Sequence, residues 1–534
     1  FIRYEAQERV QSVPQLREAV AGGIPKKIWD NVIAQCDEET GAPPLLASTM
    51  IPGRPAAHAR NNDPDYQICH AVGQRLLRNA LALLITEDQR YLHTAQEQLE
   101  AIFDERRWPA WISRAHIHFG YPAGLRTGML GQDVGLAYDW IHPFLSKAQR
   151  EAILEGLERR AFQPYLSSLE MDPWWIHDLH NWFSVIVGGL GVAGMAVGND
   201  HPLGEKLVKT ALPGMEKFLA TYGSEGEFNE AVGYSNATKR PVLFYHALAS
   251  HQGLTGEMNP LRKHPFPQTV EWIMHCTLPP GRLAALGDGH TDRAPDTAFV
   301  AAIASANRNP VYQGFALAHL GKTSNPMDLL LLDSTLETRS PEGIIPRGKA
   351  YRDNGAQISS RSSWDEDSTP VVDLGNPSLY PADFFEAERW EYYNASVAGH
   401  NVFQFGEREQ RFISAERGSR DNFDYNTLNG VITRAAFDDF HGGTWQIDLT
   451  RVYEGVKSVR RTVLHLLPGL VVCLDEAELE REELIRLRWH TLNPPTLDSE
   501  GNFTVRAARA GLTGRMTSLE GGRPDIQVRH HQYQ

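Results

Sequence analysis

Positive charge is the first thing this sequence lacks. Its 52 Lys and Arg are outnumbered by 66 Asp and Glu, for a formal net charge of −14; a surface of that sign repels phosphate backbones, so a nucleic-acid partner is not expected. Long apolar runs are missing as well. No run approaches the ~20 consecutive apolar residues that span a bilayer. The most apolar segment, Val185 to Val197, is interrupted by glycines, which fits a packed helix inside the fold and no membrane anchor. Cysteine is scarce: Cys36, Cys69, Cys276 and Cys473 stand far apart, which excludes close-spaced zinc or redox motifs and says little about compartment. No unit returns at a fixed spacing, against a regular solenoid. The opening Phe1-Ile2-Arg3-Tyr4 carries no charged n-region and no apolar h-region; this fits a processed start and leaves export open.

What is present is ordinary globular composition, 42% hydrophobic and 22% charged over 534 residues, enough for two or three domains. From about residue 14 to 310 apolar residues recur at helical spacing, as in Leu76, Leu77, Leu81, Leu83 and Leu84, and again in Ala152, Ile153 and Leu157. Ser146 precedes one such run with Gln149 three residues on, the signature of a capping box. Short breaks between helices predict hairpins stacked into a closed or open toroid. Past roughly residue 340 alternation takes over, in Pro370 to Leu374, Val402 to Phe405 and Leu464 to Asp475, with turn signals at Gly442-Gly443 and Pro468-Gly469. Helices followed by strands predict an α+β multidomain protein with segregated parts: residues 1–310 helical, 311–345 a linker rich in Asn, Pro, Ser and Gly, and 346–534 antiparallel sheet.

Two clusters carry chemistry. Trp174, Trp175, His177, Asp178, His180, Asn181 and Trp182 crowd nine positions ahead of an apolar helix. As structure they would be core tryptophans and helix caps; as function they make a sugar cleft, where Trp faces stack on pyranose rings and Asn and His bond a carboxylate. The second cluster runs from Glu225 through Glu227, Asn229 and Glu230 to Tyr234, followed by Lys239 and Arg240. A phenol titrates at about 10 and is a poor base at neutral pH unless cations and a dry pocket stabilise phenolate; Arg240 is the candidate cation and Glu230 a candidate substrate contact. A basic and aromatic loop, Arg114, His116, His118 and Tyr121, is expected to line the same cleft. The Gly287-Asp288-Gly289-His290 turn reads as structural before functional, and His290 and His441 are lesser metal candidates.

The chain resembles the heparinase II/III-like polysaccharide lyases. Three stretches carry the likeness: Leu125 to Leu145 with its Tyr138-Asp139 ending, ahead of Ser146; the triplet His180-Asn181-Trp182 followed at the family's distance by Tyr234; and DLGNPSLY from Asp373 with GHNVFQFG from Gly399. The resemblance implies an incomplete (α/α) toroid followed by an antiparallel β-sandwich-like domain, and cleavage by β-elimination. Asn181 would neutralise the uronate carboxylate with His180 beside it, and Tyr234 would act as base, acid or both. Trp182, Arg240, Arg114, His118, Tyr121 and Glu230 would bind substrate. It also implies a divalent metal, zinc, manganese or calcium, in a structural role on Asp373 and His400, and no organic cofactor. The family's strand His is missing here, since residues 345–372 contain no histidine; either the protein dispenses with it or a segment carrying it is not part of this sequence.

The implied partner is an anionic polysaccharide, a glycosaminoglycan such as hyaluronan, chondroitin or heparan sulfate, with alginate the nearest competitor. A periplasmic or secreted location is expected over a cytoplasmic one, and the oligomeric state is open. Two other classes compete: a glycoside hydrolase drawing its carboxylate pair from Glu227, Glu230 and Asp288, and a carbohydrate-binding protein without catalysis.

Overall fold

The structure is a computed structural model, in which residues 12–49, 65–233, 236–284, 286–287, 293–354, 357–365, 392–411, 428–491, 493–507, 511–520 and 524–530 are described. Helices follow one another from Val13–Ala19 to Pro326–Leu330, interrupted among the described residues only by the two-residue strands Thr277–Leu278 and Arg282–Leu283; beyond them the longer regular elements are antiparallel strands. The segregation expected from periodicity is therefore present. Ser146 starts the helix Lys147–Leu157 as the sequence predicts: its hydroxyl accepts from the Gln149 N–H at 3.3 Å, and its own N–H donates to Gln149 Oε1 at 2.8 Å.

At the centre of the helical part lies Leu125–Ile141, buried along almost its whole length. It packs against Asp65–Thr86 on one side and Gly189–Val197 on the other, and the latter packs in turn on Gly204–Leu219 and Asn236–Gln252. The glycines that interrupt the apolar run make this possible. A Cβ on Gly128 would strike the Val185 carbonyl, and one on Gly189 would strike the carbonyl of Gly128; neither backbone can yield in a close-packed interior. The stretch Asn181–Asp200 is long and apolar enough to cross a membrane, and most of it is buried inside the protein.

The expected linker at 311–345 is a correction. It holds the helices Pro310–His319 and Pro326–Leu330, with Val311, Tyr312, Phe315, Met327 and Leu329 buried. Asn and Pro within it and just before it are helix starts. Asn309 and Asn325 accept the first free amides, from Val311 and Met327 at 2.9 and 3.1 Å, with proline at the first helical position in both cases.

The strand part is an antiparallel four-stranded meander, Val431–Asp438, Gly442–Asp448, Val456–Leu466 and Leu470–Leu479, in that order. Its registers pair Trp445 with Val463 and Arg461 with Asp475. Phe403–Phe405 pairs with Ile485–Leu487, and Thr496–Leu497, Asn502–Arg506 and Gly511–Arg515 form a small separate sheet. The strand expected at Pro370 to Leu374 lies outside the described residues.

A hairpin, Gly348–Tyr351 with Gln357–Ser360, joins the two parts. On the helical side Trp272 Nε1–H donates to Gln357 Oε1 at 2.9 Å, and Lys349 meets Glu225 and Glu271 at 2.7 and 3.2 Å. On the sheet side Ser360 Oγ lies 2.7 Å from His465 Nδ1, and the Arg352 guanidinium donates to the Ile432 carbonyl at 2.7 Å.

Candidate functional site

The nine-residue cluster divides on folding. Trp175 is fully buried, stacked on Tyr165 with centroids 6.4 Å apart, and His177 turns outward to Asp172 at 2.7 Å. These two belong to packing and surface. Asp178 is exposed as well, and the remaining members, Trp174, His180, Asn181 and Trp182, stay half-buried where the helix Trp174–His177 gives way to the short helix Asn181–Phe183 and then the wide turn Ser184–Gly188. Wide turns of this i→i+5 kind are rare inside helices and concentrate at functional sites.

The turn fixes each polar side chain differently. His180 caps the short helix: its Nδ1 accepts the Trp182 N–H at 3.2 Å. A ring nitrogen that accepts a bond is unprotonated, so the neutral ring carries its proton on Nε2 and presents that N–H as a donor. Burial pushes the His180 pKa down, with Asp178 pulling the other way, which favours this neutral form. Asn181 is held by a carboxylate from a distant loop. Its backbone N–H donates to Glu230 Oε2 at 2.6 Å and its Nδ2–H to Glu230 Oε1 at 2.7 Å.

Around the turn stands an aromatic wall. Trp182 and Trp174 lie 4.9 Å apart, and Trp174 reaches His180 at 5.4 Å. The short 3-10 turn Arg114–Phe119 closes against them: the His116 ring meets Trp182 edge-on at 4.6 Å, while Phe119 stacks on His116 at 5.7 Å and meets Trp174 and Trp182 edge-on at 5.7 and 6.0 Å. Tyr66 backs the wall, its hydroxyl 3.3 Å from His116 Nδ1. Phe119 remains 38% exposed, so the wall offers an aromatic edge to solvent beside the Asn181 turn.

Of the residues expected at the site, Asn181, His180, Trp182 and Glu230 come together, and the 114–121 loop joins them through His116 and Phe119. His118 is exposed, its ring 4.2 Å from Phe119, and Tyr121 is half-buried, packed against the main core. Only the backbone of Arg114 is described, and Tyr234, Asp288, His290 and Asp373 lie outside the described residues.

Two expected site residues have partners that the sequence did not suggest. Glu230, expected at the substrate, accepts from the Asn181 backbone with one oxygen and from its side chain with the other. Arg240, expected as the cation near Tyr234 and as a substrate contact, is 5% exposed, donates to Gln132 Oε1 at 2.7 Å, and Gln132 in turn donates to Asp133 at 2.9 Å. Burial lowers the pKa of Arg240 and raises that of Asp133, the response of charges held away from water. Phe119 is the member that sequence reading missed. It sat in plain view in the run HIHFGY, but its contact with the tryptophans depends on two segments meeting in space.

The expected metal pair falls partly outside the described residues. Among the described residues no group of three or more His, Cys, Asp or Glu side chains is placed to hold an ion, and of the expected pair only His400 is described, half-buried after a 3-10 turn. His441 is exposed and paired with Asp438 at 2.8 Å. A shallow depression in the strand part, lined by Arg411, Thr433, Asp448, Tyr453 and Glu480, contains none of the expected residues.

No protein-family model matches the chain, and no curated protein matches it in sequence. Solved structures do. A heparinase III superposes with a TM-score of 0.53 at 11% identity, covering 94% of this chain and 78% of that one. A heparan sulfate lyase from Pedobacter heparinus is similar at a TM-score of 0.43 and 12% identity, over 92% of this chain and 82% of the other. At such identities the first likeness is one of fold: the chain has the helical-then-antiparallel architecture of that heparinase III.

Proposed function

We propose that this protein is a polysaccharide lyase that cleaves uronate-containing chains by β-elimination, its helical part an incomplete (α/α) toroid and its strand part sandwich-like. The observation that carries the reading is the His180-Asn181 turn, two polar side chains fixed with hydrogen-bond donors beside an aromatic wall. A uronic acid sugar has the matching parts, an apolar ring face to stack and a carboxylate to bond. The shared fold with a heparinase III supports the same reading.

In the proposed reaction Asn181 Nδ2–H and His180 Nε2–H bond the substrate carboxylate, so that charge developing there as an enediolate is met by preorganised donors. Tyr234 removes the proton from the carbon that bears the carboxylate. The electron pair left behind forms a double bond to the neighbouring carbon, the glycosidic C–O bond breaks, and the departing oxygen takes a proton, from Tyr234 where proton and leaving group share a face. No water enters the bond that is cut. Arg240 is buried and bonded to Gln132, so it is assigned no contact with substrate in this scheme. A divalent ion, where bound, would be held by Asp373 and His400 in a structural role, and no step is routed through it.

A glycosaminoglycan is the preferred substrate class, with alginate as the competitor; a polymer of either kind is met outside the cytoplasm, in keeping with a periplasmic or secreted enzyme. Of the hydrolase alternative's acids, two are engaged elsewhere and Asp288 lies outside the described residues. Glu227 is fully buried, accepting the backbone N–H groups of Asp353 and Glu225 at 3.1 and 3.2 Å, and Glu230 is engaged by Asn181. The test is a panel of uronate polymers followed by the ultraviolet absorbance of the unsaturated product. Activity on at least one polymer is expected. New reducing ends without that absorbance would mark a hydrolase, and no cleavage of any polymer would leave a binding protein.

A further inference from the structure

Glu230 is placed too deliberately to be an ordinary surface acid. It lies 49 residues from Asn181 in sequence, yet one of its oxygens takes the backbone N–H and the other the side-chain N–H of that single residue, at 2.6 and 2.7 Å. The backbone N–H is the first amide of the helix Asn181–Phe183, a donor with no partner inside its own helix. The side-chain bond has a different consequence. An Asn amide can occupy its site in two orientations that exchange oxygen and nitrogen, and only one is compatible with this neighbour: the flipped form would set the amide oxygen against a carboxylate, acceptor against acceptor. The carboxylate therefore dictates that nitrogen faces Glu230. Of the two hydrogens on Nδ2, one is bound to Glu230 and the other projects away from it.

We propose that Glu230 is a positioning residue, which locks the Asn181 amide so that one N–H donor is held outward for the carboxylate of a uronate sugar. The inference rests on the lyase reading for what the donor meets, but the lock itself does not depend on it. Charge matters to the lock as well as shape. Glutamine at 230 has nearly the same outline, but its amide can donate to the Asn181 oxygen as readily as its carbonyl can accept from the nitrogen, so the flipped orientation becomes available.

The test is a double-mutant cycle of Glu230→Gln and Asn181→Ala, read in two ways. In kinetics on a polymer the wild type cleaves, Glu230→Gln alone is expected to lower kcat by roughly 10- to 100-fold with KM changed less than about threefold, since a misaligned donor costs up to ~100-fold. In the Asn181→Ala background the same change is expected to cost less than about threefold. In thermal unfolding the two substitutions are expected to be non-additive, because both remove one clamp. A variant that melts well below the wild type is replaced in the cycle by Glu230→Asp, which keeps the charge and shortens the reach.

The proposal is overturned if Glu230→Gln leaves kcat within about threefold, or if it costs the same factor with and without Asn181, which would make Glu230 act on substrate by itself. Additive melting shifts overturn the lock. A wild type that yields no unsaturated product, combined with coupled melting shifts, instead retires the lyase reading and leaves the lock standing.

Discussion

The helical and strand parts of this molecule are built on unequal cores. One continuous buried cluster runs through the helical part from Val13 and reaches Tyr351 in the joining hairpin. Among the described residues of the strand part, the separate cluster consists of Phe403, Phe405, Val452, Tyr453 and Val459. Apolar residues of the strand Leu470–Leu479 remain open to solvent, Leu470 at 55% and Val472 at 48% exposure. Every placed member of the candidate site, from His116 to Glu230, belongs to the first part. Rigid packing and the placement of chemistry therefore go together: a donor held to a fraction of an ångström needs neighbours that do not move.

Paired glycine substitutions test that inequality most severely. Gly128→Ala in the helical part forces a Cβ into the Val185 carbonyl, whereas Gly469 has nothing within 4 Å of a Cβ position. Gly128→Ala is expected to cost about 3 kcal/mol or more, the upper range of overpacking, and Gly469→Ala less than about 0.5 kcal/mol. Thermal or denaturant unfolding of the two variants reads both numbers. Equal effects would mean the helical interior relaxes more easily than its close approaches suggest.

Within the rigid part, function and stability should separate at Asn181. Its side chain is half-buried and its removal leaves Glu230 near water, so Asn181→Ala is expected to melt within a few degrees of the wild type. Loss of an oxyanion donor nevertheless costs on the order of 100-fold in kcat. Progress curves on a cleaved polymer provide the check, and a variant retaining a third of the wild-type rate would remove Asn181 from the mechanism.

How far the sequence reveals this arrangement depends on the reach of each signal. Local patterns carried through in the Ser146 capping box and in the change from helical to alternating periodicity. Local composition misled where one pattern has two causes, as with Asn309-Pro310 and Asn325-Pro326, which read as linker and are helix starts. Contacts between distant segments left no trace at all. Nothing in the run GEFNEAVGY marks Glu230 as the partner of Asn181, and nothing near Phe119 says that it meets Trp174. Arg240 shows the same blindness in reverse, since a cation after a candidate base looks available until its burial against Gln132 is seen.

The seam between the two parts should be sensitive to acid. His275 is 2% exposed, its Nδ1 3.2 Å from Ser359 Oγ on the hairpin, and burial, aided by Arg361 and Lys349, pushes its pKa down to about 3. In the unfolded chain the same ring takes a proton near its ordinary value of about 6.5. Below that pH the unfolded state binds a proton that the folded state refuses, so stability is lost as the pH falls, at roughly 1.4 kcal/mol per unit, until the folded pKa is reached. His275→Gln, which cannot be protonated, is expected to show a shallower fall in unfolding free energy between pH 7 and pH 5. An unchanged slope would place the acid sensitivity elsewhere.

The smallest expected effect is also the most informative about the strand part. Val459 is fully buried in its cluster, so Val459→Thr places a hydroxyl among apolar side chains and should cost about 1 to 3 kcal/mol. Val472 lies on the outermost strand of the meander, half exposed, and Val472→Thr should change stability by less than about 0.5 kcal/mol. The substitution should also reduce self-association in light scattering, because an apolar edge strand is a template for pairing with another chain. If the two substitutions cost the same in urea unfolding, the Leu470–Leu479 strand is covered in solution. The core of the strand part is then larger than its described residues show, and the inequality between the two parts shrinks accordingly.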